Sequence, residues 1–129
     1  MEEDMKNELK ERRAMYEALH HEQSSAAVAF RDYWKKEFDH WRNAVRVVKS
    51  VVTGETPVSD AVVEDCRIAV MRLYQISYVI GQLMLPVGNP SPGVLDAVMD
   101  IVKRVDDDKV EATKNLKMIL KWQAAAMIL

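Results

Sequence analysis

The stretch FRDYWKKEFDHWRNAVRVVKSVV, residues 30–52, places large apolar side chains at Phe30, Trp34, Phe38, Trp41, Val45, Val48 and Val52. Steps of three and four keep these residues on one side of a helix, whereas a strand would alternate them in twos. Toward the N-terminus the same track continues through Ala26, Leu19, Tyr16, Leu9 and Met5, and no Gly or Pro interrupts the chain from Met1 to Thr53. The expected first helix therefore runs over about residues 2–53.

Gly54 supplies a stop, and Thr56-Pro57 or Ser59 a new start. A second helix is expected over about 57–84, with Val62, Cys66, Ala69, Leu73, Ile76, Ile80 and Leu83 repeating at three and four. Gly81 costs this helix about 1 kcal/mol relative to alanine, a penalty that a close helix crossing would explain. Residues 85–91, with Pro86, Gly88 and Pro90, read as a loop, and Ser91-Pro92 as a cap followed by a first-turn proline. A third helical region is expected over 92–129, with Leu95, Val98, Val102, Val105, Ala112, Leu116, Ile119, Gln123 and Met127 close to one face. Within it Asp106–Asp108 is either a break or a solvated turn, because Asp favours caps over helix interiors.

These elements predict an all-α single domain over residues 1–129, an elongated bundle of three long helices. At about 1.5 Å per residue the first helix would be about 75 Å long, the second about 40 Å and the third about 55 Å. The mismatch leaves two architectures: a bend near Ser24-Ser25 giving four segments of similar length, or an unbroken first helix projecting past its partners. Continuity of the apolar track across Ser24-Ser25 favours the unbroken form.

Composition narrows the function classes. The hydrophobic content of 49% beside 29% charged residues suits a packed core, and a formal charge of −2 gives no whole-molecule field that would draw nucleic acid or an anionic membrane. Cys66 is the single cysteine, which excludes an internal disulfide and fits a reducing, cytoplasmic-type compartment. The start Met1-Glu2-Glu3-Asp4 is acidic where a signal peptide is basic, so no export signal is expected. The longest uncharged run, Leu73–Leu95, is interrupted by Gln75, Ser77, Gln82 and Pro86, too short for the roughly 20 apolar residues of a membrane span. It reads as buried core.

No motif for catalysis, cofactor or metal emerges. His20 and His21 are adjacent and point apart, and His40 would lie about 30 Å further along an unbroken helix, so solvated histidines are expected rather than a metal site. Glu64-Asp65 and Asp106–Asp108 are neighbours with diverging side chains, unlike a convergent acid–base pair. There is no Ser-His-Asp or Cys-His pattern and no Gly-rich phosphate loop, so no small-molecule substrate is evident and an enzyme is not expected.

Two features point to macromolecular contact. Arg31, Lys35, Arg42, Arg46 and Lys49 fall within about a 60° arc, a ridge about 27 Å long beside the aromatic track. Six basic residues face three acidic ones from Arg31 to Lys49, whereas residues 2–22 sum to −3. Such a ridge either meets an anionic partner, nucleic acid or acidic protein, or keeps an apolar seam soluble. Phe30, Trp34, Phe38 and Trp41 share one face and read as core rather than as a base-stacking platform. The segment Trp122 to Leu129 has no charge and ends in Met127, Ile128 and Leu129, so it is expected to be buried, in its own bundle or against another subunit. The first expectation is a self-associating assembly or adaptor subunit using the helix-one track and this tail; the alternative is a regulatory or inhibitory binder using the basic ridge.

Overall fold

The computed structural model describes Lys6 and residues 25–84 and 92–128 of the chain; the two longer stretches form three helices, and no strand occurs among the described residues. Helix α1 covers Ser25–Val52, α2 Asp60–Met84 and α3 Pro92–Ile128. The all-α bundle of three long helices is what the periodicity predicts. The loop expected over 85–91 and the continuity of the first helix across Ser24-Ser25 lie outside the described residues.

Helix boundaries follow from capping chemistry. After Val52 the chain turns through Gly54 at φ 84°, a left-handed backbone that glycine adopts without a Cβ clash. The carbonyls left open at the end of α1 are taken up there: Lys49 O accepts from Thr53 N (3.0 Å), Val51 O from Gly54 N (3.2 Å) and Ser50 O from Thr56 N (3.0 Å). At the start of α2 the Ser59 hydroxyl accepts from Val62 N at 3.2 Å, so of the proposed starts Ser59 is the N-cap.

Three side-chain bonds fix the order of packing. Lys109 Nζ donates to Ser77 Oγ (3.4 Å), Thr113 Oγ1 to Tyr74 OH (3.3 Å) and Gln123 Nε2 to Asp60 Oδ1 (2.9 Å). As positions rise along α3 their partners fall along α2, so these helices are antiparallel. The short turn at 53–59 and the contact of Arg72 with His40 make α1 and α2 antiparallel as well. Each helix touches both others.

The aromatic track of α1 is the centre of the core. Phe30, Trp34, Phe38 and Trp41 are buried, and the last three stack edge-on or tilted with centroids 5.2–5.6 Å apart. Against them lie Cys66, Ala69, Leu73, Ile76 and Ile80 of α2, and Val98, Ile101, Val105, Ala112 and Ile119 of α3. From Phe30 to Val52 the track is thus packed inside one chain, with Val45 and Val52 half-buried at its edge, and that part of it does not offer the self-association surface of the first expectation.

Of the two alternatives at Asp106–Asp108 the solvated turn is found: helix α3 runs through without a break, Asp106 and Asp107 are exposed, Asp106 accepts from Lys109 Nζ at 2.9 Å, and Val105 and Ala112 stay buried on either side. Two further expectations are corrected. Among the described residues no neighbour lies within 4 Å of where a Gly81 Cβ would stand, so no close crossing of the described helices explains that glycine. Finally, the uncharged run after Leu73 is not uniformly core, because Tyr74, Gln75, Tyr78 and Gln82 are exposed.

Candidate functional site

On α2, turning away from the buried residues reaches Glu64, Ile68, Met71, Gln75 and Tyr78, spaced four, three, four and three. This is a second helical stripe on the side opposite the core. Ile68 is 57% exposed, Met71 61% and Tyr78 69%, with Tyr74 flanking them. Tyr74 leans toward α3, where Lys109 Nζ sits 5.1 Å from its ring centroid. A helix apolar on both sides is normally covered on both, and contiguous patches of several hundred Å² are uncommon on monomers. Sequence reasoning missed this stripe. The signal was there, since Arg72 is the only charge from Ile68 to Met84.

Beside the stripe a hollow of about 470 Å³ opens between α1 and α2, lined by His40, Ala44, Asp65, Ile68, Ala69 and Arg72 among others. The small side chains of Ala44 and Ala69 leave this space. Its polar edge is tied to a buried carboxylate: Glu37 Oε2 lies 3.1 Å from His40 Nδ1 and 3.9 Å from Arg72 Nε, and Arg72 Nη2 is 3.0 Å from the same Nδ1. Arg72 can only donate, so its bond to Nδ1 needs the proton of a neutral His40 on Nε2; a bond from Nδ1 to Glu37 needs the other tautomer or the imidazolium. Burial raises the nearby Tyr33 hydroxyl pKa, with Glu37 adding to the rise and Arg72 opposing it. His40 is therefore exposed yet partnered, while His20 and His21 lie outside the described residues. Among the described residues no group of three or more His, Cys, Asp or Glu is placed to hold a metal ion.

The basic ridge is divided by its surroundings. Arg31 is half-buried, 3.8 Å from Asp32, and Arg42 lies over the Trp41 ring at 5.1 Å. Lys35, Arg46 and Lys49 are exposed, the last two beside a shallow hollow of about 510 Å³ with Ser50, Thr53 and Glu55. Next to Arg42 a smaller hollow of about 290 Å³ is lined by Trp41, Arg104, Asp107 and Asp108. Desolvation raises the Asp108 carboxyl pKa, against the Trp41 indole N–H and the Arg42 guanidinium, which lower it; Glu111 and Asp107 add to the rise. Trp34 Nε1 and Trp41 Nε1 are nonetheless buried donors with no bond of hydrogen-bond geometry.

From Trp122 to Met127 the C-terminal segment is not buried in its own bundle. Gln123 bonds the first residue of α2, so the residues after it run past the start of that helix. Trp122 is 40% exposed and Met127 80%, and Ala124, Ala125 and Ala126 are exposed. The side chains of Ile128 and Leu129 lie outside the described residues. Among the described residues no helix is long and apolar enough to cross a membrane.

Compared with protein-family models, with curated proteins and with solved structures, the chain matches nothing.

Proposed function

We propose that this chain is a self-associating helical subunit that acts through protein–protein contact rather than through chemistry of its own. The observation that carries the reading is the outward stripe of Ile68, Met71 and Tyr78 on α2. Trp122 and Met127 are further exposed apolar side chains, toward the end of α3. Keeping such side chains in water forgoes about 1.5–3 kcal/mol each relative to burial, a cost that a second protein surface removes. Light scattering tests it: the mass should exceed the 14.8 kDa of one chain and rise with concentration. A strict monomer at concentrations on the order of 100 µM, far above micromolar dissociation constants, would sink the idea.

A second reading, a regulatory binder of nucleic acid or an acidic protein, rests on the exposure of Lys35, Arg46 and Lys49 together with a lysine row on α3. Lys114, Lys117 and Lys121 are exposed there at spacings of three and four. Binding of this kind weakens steeply with salt. Retention on DNA, RNA or a polyanionic resin at low salt, lost as salt rises, is the expected result; no retention at low salt removes the nucleic-acid branch.

A further inference from the structure

Resting on the self-association reading, we propose that the partner of the outer α2 face is the same face of a second copy, the two helices running antiparallel about a twofold axis at Ile68. Three observations lead there.

The positions Glu64, Ile68, Met71, Gln75 and Tyr78 keep a four-three-four-three spacing, the repeat with which one helix meets another along a seam. Stripe and spacing coincide on residues that stand exposed and that no other helix among the described residues covers.

Charge then selects the direction. The acids of α2 are Asp60, Glu64 and Asp65, all in its first two turns; its bases, Arg67 and Arg72, follow, and no charged residue occurs from Leu73 to Met84. A parallel pair in register would set Glu64 against Glu64 and Asp65 against Asp65. An antiparallel pair centred on Ile68 sets Glu64 of each copy against Arg72 of the other, with Ile68 against itself. The same register brings Val58, 38% exposed just before α2, opposite Tyr78 at each end of the contact. Ile68 thus meets itself at the centre and Val58 meets Tyr78 at each end, with Glu64 against Arg72 and Met71 against Asp65 between them.

Size sets the strength. The contact from Val58 to Tyr78 is about 30 Å long, and two helices about 10 Å across meeting over that length cover less than the roughly 800 Å² per partner of a standard interface. The pair is therefore a weak one that forms at high protein concentration.

Cysteine cross-linking in the full chain tests the register, because the native Cys66 is buried and the unmodified chain sets the baseline. Ile68→Cys alone should give a disulfide-linked dimer under mild oxidation. Tyr78→Cys alone should not, since its own mate would stand about 30 Å away, whereas Tyr78→Cys mixed with a tagged Val58→Cys chain should give the mixed dimer. All three positions are exposed or marginally so, and a circular-dichroism melt confirms that each variant folds. Self-linking at Tyr78 as strong as at Ile68 would establish parallel pairing and overturn the proposal. No linkage at any position, in a protein whose scattering mass exceeds a monomer, would overturn it too while leaving self-association through another surface standing. A monomeric mass with no linkage defeats both readings.

Discussion

At Asp108 a half-buried carboxylate faces the Trp41 indole and the Arg42 guanidinium, yet loss of hydration outweighs both and holds its pKa above the ordinary carboxylate range. A carboxyl that binds its proton more tightly in the folded chain gives stability that is fully present below the unfolded pKa. That stability is lost as pH rises through the folded value. Asp108→Asn should therefore raise the melting temperature slightly at pH 7 and flatten the loss of stability above about pH 4. Melts at a series of pH values check it; a variant less stable than the parent at pH 7 would show that the ionised form is net favourable. Trp34 poses the complementary case, a ring with no exposed surface whose N–H has no partner among the described residues. Trp34→Ala should cost about 3–5 kcal/mol through the cavity it leaves. Trp34→Phe should cost far less, because the smaller ring also removes a buried donor that is worth about 1–3 kcal/mol when unsatisfied. Urea denaturation of both variants separates volume from polarity.

Among the helices, what could be read from the sequence was whatever local chemistry decides. Gly54, Ser59 and Pro92 mark ends because φ, a side-chain acceptor and a missing N–H act within one turn. The buried side of α2 was legible in the same way, through its three-four spacing. Its other side was not, because a search for one apolar face stops when it has found one. The aspartates of α3 left a break and a solvated turn open, and energetics decides for the turn: three poor helix formers cost about 2 kcal/mol at most, less than the burial of Val105 and Ala112 that a continuous helix secures. Of the candidate contact residues, the sequence showed that Arg31 to Lys49 line one side and that the tail is apolar. Which arginines are drawn onto rings or acids, and where α2 ends relative to α3, depend on tertiary register and could not be seen. Gly81 gives a direct test at this scale. With no described residue within 4 Å of its Cβ position, Gly81→Ala should raise stability by about 0.5–1 kcal/mol, read as a higher denaturant midpoint. Gly54→Ala, at φ 84°, should lower it by about 1 kcal/mol.

For the molecule as a whole, the antiparallel sequence of three helices buries the first helix's aromatics between the other two and leaves outward surface on α2 and on the end of α3. Because Met127 is 80% exposed in a single chain, Met127→Ala should leave the melting temperature of dilute protein unchanged. A decrease that appears only at high concentration would assign the tail to a subunit contact. The same arrangement gives the molecule a built-in clock. The Cys66 thiol has no exposed surface, on the helix that both others contact, and burial with Asp65 nearby raises its pKa. Attack on an alkylating reagent needs the thiolate and an open path to it, and the folded bundle denies both. Alkylation of the native protein should therefore proceed only as often as α2 leaves its neighbours, so the modification rate in plain buffer counts how frequently the bundle opens.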